Sequence, residues 1–148
     1  ALPISPRSPV HFTGRPRARA AKPLRLLILG GGAIVTECHL PALRALGWME
    51  GCEVIEPYAR NAQAIQSRYP GVRVSSLPYE QVVTDNARLS TFDAALVALP
   101  NTLHLDATER CLAAGLPVLC EKPLALTSAG CLQAAAAARP VERRRPTA

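Results

Sequence analysis

The chain has few of the residues on which several protein classes depend. Aromatic residues make up only 4% of its 148 residues, which disfavours an aromatic-rich β-sandwich and a base-stacking surface for nucleic acid. No apolar run approaches the roughly 20 residues that a membrane helix needs, so we expect no membrane partner. The apolar content of 49%, mainly Leu, Ala and Val, is enough for a packed core of helices on a sheet.

Cysteine pairs with the spacing of metal sites are lacking as well. There are five cysteines, and no two have the C-x-x-C spacing of zinc or redox sites. We therefore predict no metal, and reduced, mostly buried thiols in a cytoplasmic protein. A nucleophilic role for Cys38, Cys120 or Cys131 is the alternative, but no neighbouring residue marks any of them as activated.

Acidic residues are almost absent from the two ends of the chain. Residues 1–23 carry five basic residues and no acid, and residues 139–148 carry four arginines and one glutamate. The segment 24–138 holds eight bases and ten acids, so a nucleic-acid surface on the core is not supported. We expect one domain at 24–138 between two disordered basic tails. A transit peptide at the N-terminus and nucleic-acid binding through the arginines are the alternatives.

Short apolar runs alternate with segments of helical periodicity along 24–138. The predicted strands are Leu24–Leu29, Cys52–Ile55, Val72–Val74, Phe92–Leu99 and Leu116–Cys120. The predicted helices run from Ala33 or Thr36 to Leu46, Ala59–Tyr69, Tyr79–Leu89, Thr102–Ala114, and from Thr127 or Ser128 to Ala138. This alternation predicts the α/β class, with a Rossmann-type doubly wound parallel sheet and helices on both faces.

A glycine turn follows the first predicted strand. The segment Gly30-Gly31-Gly32-Ala33-Ile34 joins that strand to a helix, the context in which G-x-G-x-x-G binds a dinucleotide. Gly30 would permit the tight turn, Gly32 would let a pyrophosphate approach the backbone, and the amides at the helix start would hold it. Val35 replaces the third glycine, so we expect a displaced helix and shifted or weakened binding. A turn without a ligand is the alternative.

Glu56 ends the second predicted strand, where an acid typically binds the ribose hydroxyls of a dinucleotide. This position favours NAD mildly over NADP. Arg60 lies close by and would instead suit the 2′-phosphate of NADP. Glu56 as an ordinary solvated loop acid is the alternative.

Three candidate cofactor-binding residues, Pro100, Asn101 and His104, follow the fourth strand. Pro100 and Asn101 come directly after it, and His104 lies in the first turn of the next helix. Asn101 either lines the cofactor site or caps that helix. For His104 a cofactor contact, an acid–base group and a plain surface residue are all open.

The fifth strand ends in Glu121-Lys122-Pro123, at the edge where open α/β sheets bind ligands. Pro123 restricts Lys122 to extended geometry, which fixes where its ammonium points. A free lysine has a pKa of about 10.4, so a base at neutral pH needs burial or a nearby positive charge. Glu121 would oppose such a shift. A plain Lys-Pro turn is the alternative.

Three stretches together resemble the Gfo/Idh/MocA oxidoreductases: LLILGGGAIVTECHLPAL at 26–43, ALVALPNTLHLDA at 95–107 and AGLPVLCEKPLALT at 114–127. The resemblance covers about 24–138 and implies an NAD(P)-dependent enzyme that moves hydride between nicotinamide and a sugar, polyol or related hydroxy compound. It implies that Lys122 is catalytic, and that Gly30, Gly32 and Glu56 bind the pyrophosphate and ribose. It further implies that Glu121 lies near the nicotinamide and that Asn101 and His104 line the cofactor channel.

The resemblance also implies a second α/β domain, which supplies most of the substrate site and which this sequence does not contain. We therefore expect a fragment that alone binds cofactor at best, and a homo-oligomer in a full-length form. A non-catalytic dinucleotide-binding or regulatory module is the alternative.

Overall fold

A five-stranded parallel sheet organises the computed structural model, which describes residues 24–138. The strands are β1 (Leu26–Leu29), β2 (Cys52–Ile55), β3 (Arg73–Ser75), β4 (Ala94–Val97) and β5 (Val118–Cys120). Their order is β3-β2-β1-β4-β5, and every neighbouring pair is parallel. The predicted Rossmann-type doubly wound sheet is thereby confirmed. The predictions for residues 1–23 and 139–148 concern segments outside the described residues.

Six α-helices accompany this sheet within 24–138; the first five connect its strands, and the sixth follows β5. They are α1 (Leu40–Ala45), α2 (Ala59–Arg68), α3 (Tyr79–Val83), α4 (Asn86–Leu89), α5 (His104–Ala113) and α6 (Ser128–Ala137). Short 3-10 turns at Met49–Gly51 and Asn101–Leu103 precede β2 and α5. In this part of the chain no helix has the length and hydrophobicity of a membrane span.

The central strand β1 is buried on both sides, because alternate residues of a strand point to opposite faces. Leu27 and Leu29 pack into one core with residues of α3, α4 and α5. Leu26 and Ile28 pack into a second core with residues of α1 and α2. Helices therefore cover both faces, as the continuous apolar run of the strand predicts.

Arg25 fixes the start of β1 against the start of β4. Its backbone N–H donates to Asp93 Oδ2 at 2.8 Å, and its guanidinium donates to Asp93 Oδ1 at 3.1 Å. The arginine and the aspartate directly precede the paired residues Leu26 and Ala94. This contact helps to set the register between the two strands whose ends form the crevice described below.

The helix after the glycine turn has an irregular start. The chain becomes helical at Ala33, and Val35–His39 then forms a π-helical turn before α1. Val35, at the position of the third glycine, is fully buried in the same core as Ile28 and Leu40. Pro41 has no N–H for a bond to the Glu37 carbonyl, and the π turn ends at His39, two residues before it. The predicted irregularity is thus a widened helical turn.

The predicted helix Tyr79–Leu89 is wrong as a single element, because it is divided into α3 and α4. The Thr84 hydroxyl donates back to the Glu80 carbonyl at 2.9 Å, at the end of α3. The Asp85 carboxylate then accepts from the Arg88 N–H at 2.9 Å and caps α4. Side chains that bond to the local backbone compete in this way with a continuous helix.

Candidate functional site

The structure has a crevice where the connections diverge on the two sides of β1. β1 lies between β2 and β4, and ligands of open α/β sheets bind at the carboxyl ends of strands beside such a switch point. A cavity of about 500 Å³ opens there. It brings together five of the predicted site residues, namely Gly30, Gly31, Gly32, Glu56 and Pro100.

Gly30 makes the turn that directs the chain out of β1. Its φ of 99° lies in the region that favours glycine. A Cβ at this position would also collide with the carbonyl oxygen of Ala98, which follows β4. Only glycine therefore permits both the turn and the close approach of the two loops.

Gly31 and Gly32 differ in their surroundings. The Gly31 N–H donates to Glu56 Oε2 at 3.0 Å, and a Cβ there would lie 2.6 Å from Ile65 Cδ1. Gly32 is exposed, and a Cβ there would meet no atom within 4 Å. The space above Gly32 is therefore open to a ligand. The Val35 and Thr36 N–H groups donate to the Gly32 carbonyl at 3.1 Å. The first amides of a helix lack intrahelical partners and its dipole favours an anion there, so an anion in this space would meet the amides of Ala33 and Ile34.

Glu56 is buried, with 4% of its surface exposed, so its interpretation as an ordinary solvated loop acid is wrong. Oε2 accepts from the Gly31 N–H, and Oε1 accepts from the Tyr58 N–H at 3.0 Å. An ionised carboxylate can accept about four hydrogen bonds, so capacity for ribose hydroxyls is left. Arg60 is exposed in the first turn of α2. Ribose binding by Glu56 and phosphate binding by Arg60 stay predictions.

Asn101 is the first residue of the 3-10 turn before α5, and it is exposed. The N-cap of α5 is Leu103, and it makes no side-chain cap bond. The alternative in which Asn101 caps α5 is therefore wrong. A cofactor contact by Asn101 stays a prediction.

His104 is buried, with 1% of its surface exposed, so the alternative of a surface residue is wrong. Its Nδ1 lies 2.8 Å from the Pro123 carbonyl oxygen, and its Nε2 lies 2.7 Å from the Leu99 carbonyl oxygen. Both neighbours are acceptors, and a neutral ring carries one N–H, so a neutral ring donates to only one of them. The ring joins the loop after β4 to the loop after β5. Its predicted contact with a cofactor stays a prediction.

Sequence reasoning missed His39. Its Nε2 lies 2.7 Å from Glu121 Oε1, and both side chains are 24% exposed. An ionised carboxylate only accepts, so Nε2 must carry the hydrogen and donate it. This hydrogen bond is the main cause that lowers the pKa of Glu121. The two residues are 82 positions apart, and no local pattern pairs them.

Lys122 is exposed at the carboxyl end of β5. Its backbone N–H donates to Glu121 Oε2 at 3.3 Å, and its peptide bond to Pro123 is cis. The side chain does not line the 500 Å³ cavity. The described residues therefore place the predicted catalytic ammonium in solvent, beside the crevice.

Burial disfavours the nucleophilic thiolate form of three cysteines, Cys52, Cys111 and Cys120. Cys52 and Cys111 are fully buried, and burial raises the pKa of each thiol to about 11. Cys120 and Cys131 are half-buried, and burial also raises the pKa of Cys120. The prediction of mostly buried thiols is wrong for Cys38, which is exposed.

Comparison with known proteins agrees with this architecture. Residues 24–144 match the family model described as "Oxidoreductase family, NAD-binding Rossmann fold", which is that of the Gfo/Idh/MocA proteins. The chain belongs to this family. It is therefore an NAD(P)-binding Rossmann domain of oxidoreductase type, and the resemblance inferred from the three sequence stretches is confirmed.

Two curated relatives illustrate the similarity. Inositol 2-dehydrogenase of Corynebacterium glutamicum is 33% identical over 106 residues, which cover 70% of this chain and 29% of that protein. D-glucoside 3-dehydrogenase of Escherichia coli is 29% identical over 110 residues, which cover 74% of this chain and 30% of that protein. The chain thus spans less than a third of the length of these relatives.

Solved structures of two reductases resemble this chain over 80% of its length. A 3-ketoreductase from Actinomadura kijaniata with NADP and TDP-benzene has a TM-score of 0.65 at 29% identity, over 34% of its own chain. Biliverdin reductase from Synechocystis sp. PCC 6803 with biliverdin and NADP+ has a TM-score of 0.65 at 26% identity, over 35% of its chain.

Proposed function

We propose that this chain is the cofactor-binding part of an oxidoreductase that transfers hydride between a nicotinamide dinucleotide and a hydroxyl-bearing carbon of a sugar, polyol or related compound. The observation that carries the proposal is the open space above Gly32 at the switch point of a Gfo/Idh/MocA Rossmann domain. The names of the relatives support the substrate class, since they include an inositol and a glucoside dehydrogenase.

Different residues around the crevice bind different parts of the dinucleotide and the substrate. Amides after Gly32 hold the pyrophosphate, and Glu56 accepts hydrogen bonds from the adenosine ribose. When bound, the dinucleotide supplies or accepts the hydride. Lys122 reaches past the crevice to the substrate and helps to move the proton of its hydroxyl group. Its exposure on this chain supports a role toward a substrate rather than toward the buried end of the nucleotide.

Glu56 favours NAD over NADP in this proposal. The buried carboxylate accepts two backbone hydrogen bonds and so is held close to the ribose position, where a carboxylate repels a 2′-phosphate. Arg60, exposed in the first turn of α2, is the group that would reverse this preference. The proposal also includes a cytoplasmic location and a homo-oligomeric full-length form.

Gly32→Ala tests nucleotide binding directly. The added methyl group meets no protein atom within 4 Å, so the unfolding midpoint should stay within about 2 °C of the wild-type value. The same methyl group would enter the space proposed for the pyrophosphate. We expect NADH and NADPH affinities to fall at least about tenfold, as measured by cofactor fluorescence.

Gly71→Ala is the matched control, because its Cβ would also stand free, with Met49 Cβ at 3.9 Å and no part in the crevice. Its nucleotide affinities should equal those of the wild type. A wild-type chain that binds neither NADH nor NADPH, or a Gly32 variant with unchanged affinity, would contradict the proposed function.

Lys122→Ala tests the catalytic assignment in a longer form that turns substrate over. We expect kcat to fall at least about 100-fold, as for loss of a proton-transferring group, with NADH affinity unchanged. Turnover at the wild-type rate would remove Lys122 from the mechanism and would leave the nucleotide site intact.

A further inference from the structure

We propose that His39 is a positioning residue, which holds the Glu121 carboxylate and so fixes the loop of Lys122 against the helix that follows the glycine turn. This inference rests on the proposed function, since it concerns how the nicotinamide end of the site is held in place. His39 comes from a different part of the chain and is a further functional residue beside the Glu121-Lys122-Pro123 loop.

The contact is made by one carboxylate that touches two partners. Glu121 Oε1 lies 2.7 Å from His39 Nε2, and Oε2 lies 3.3 Å from the backbone nitrogen of Lys122. The Glu121 backbone N–H donates to the Val97 carbonyl at 2.9 Å, so the start of the loop continues the pairing of β5 with β4. A change in the His39 contact is therefore transmitted to the residue next to it, Lys122.

The loop has a second anchor on its other side. His104 Nδ1 lies 2.8 Å from the Pro123 carbonyl oxygen. Lys122 is thus placed between two residues that histidine rings hold from different elements. His104 belongs to α5, which also begins beside this edge of the sheet, whereas His39 ends the helical turn that starts at the pyrophosphate position.

The contact between His39 and Glu121 links the proposed diphosphate site to the Lys122 loop, which lies far from it in the sequence. The π turn Val35–His39 is continuous with the residues whose amides face a diphosphate, and its last side chain reaches the lysine loop. Glu121 has a lowered pKa chiefly because of the His39 hydrogen bond, so the carboxylate is held in its ionised, accepting form. A charge-assisted bond of this kind is stronger than a neutral one.

A positioning role and a merely structural role predict different ligand profiles. If His39 acts through the loop near the nicotinamide, its loss should affect NADH more than ADP, which lacks the nicotinamide riboside. If His39 only stabilises the fold, both ligands should lose affinity together with stability. The ratio of the two affinities therefore separates the roles.

The experiment compares His39→Leu and His39→Gln in the 148-residue chain. His39→Leu removes the donor, and NADH should bind at least about fivefold more weakly, as for loss of a hydrogen bond to a charged group, while ADP changes by less than about twofold. His39→Gln keeps an N–H donor at similar reach and should return NADH affinity to within about twofold of the wild type. Should the leucine variant fail to fold, His39→Asn, with a shorter amide, replaces it.

A titration of the Glu121 side-chain carboxyl by carbon NMR gives a second readout that needs no nucleotide. The pKa of Glu121 should rise toward its ordinary value in His39→Leu and stay low in His39→Gln. An unchanged Glu121 pKa, or equal losses for NADH and ADP, would overturn the inference even though the wild type binds both ligands. A wild type that binds neither ligand would instead overturn the proposed function, and the positioning role with it.

Discussion

The two sides of the crevice are built differently. On the side of the glycine turn the parts are buried and hold one another: Gly30 packs against the Ala98 carbonyl, and the Gly31 amide donates to a 4% exposed Glu56. On the β5 side Lys122 is exposed, and only its flanking residues are held, by His39 and His104.

Because of this difference, the described residues complete the nucleotide half of the proposed site but not its lysine half. The nucleotide side has its turn, its open space and its carboxylate in place within 24–138. The lysine side has a fixed backbone and an exposed side chain. The proposed nucleotide surface is thus preformed, whereas the same residues leave the proposed catalytic lysine exposed.

Gly30→Ala should break the nucleotide side most severely. A φ of 99° and a collision with the Ala98 carbonyl together should lower the free energy of unfolding by about 3 kcal/mol or more. Gly47→Ala is the control, since its φ of 71° would also strain an alanine but no atom lies within 4 Å of the added Cβ. It should cost only about 1–2 kcal/mol when both variants are unfolded in urea. Equal losses would mean that the contact with the β4 loop is unimportant.

Glu56→Gln should have a smaller effect on the same side. The amide oxygen can accept from the Gly31 or the Tyr58 N–H, but the amide NH2 then faces the other donor. We expect the free energy of unfolding to fall by about 1–3 kcal/mol, the usual result of leaving one buried donor unpaired. Glu50→Gln, at an exposed position, should change it by less than about 0.5 kcal/mol. A Glu56 variant as stable as this control would show that the carboxylate does not hold the turn.

The smallest effect is expected on the lysine side, from the lowered pKa of Glu121. A carboxyl group with a lower pKa in the folded state stabilises the fold above its unfolded-state pKa of about 4.3, and this contribution disappears as the pH falls through the folded-state value. The wild type should therefore lose more stability than Glu121→Gln when the pH falls below about 4.3. Parallel curves of unfolding free energy against pH for the two proteins would mean that the His39 contact does not persist in solution.

The sheet and the nucleotide side could be predicted from sequence because their signals are local. The apolar run Leu26–Leu29, the glycines after it and an acid after the next strand follow patterns that backbone sterics and parallel pairing impose. The split between α3 and α4 escaped prediction, since helical periodicity says nothing about side chains such as Asp85 that bond back to the backbone.

The contacts on the lysine side could not be predicted, because they join distant segments. His39 meets Glu121 only because β1 and β5 end at the same edge of the sheet, with β4 between them. His104 is buried because two carbonyl groups from different loops flank its ring. A histidine in a first helical turn carries no signal of either arrangement, so surface, catalytic and binding roles were all open for His104 in the sequence.

The contact between Arg25 and Asp93 also fixes how far along β1 the glycine turn lies from the start of the strand. Four residues, Leu26–Leu29, separate the arginine from Gly30, and they point alternately into the two cores. Deleting or inserting one residue here would exchange the two apolar sets and carry the glycine bend away from its neighbour by one step of about 3.3 Å. Substitutions in this strand can be absorbed by repacking, but a change in its length cannot.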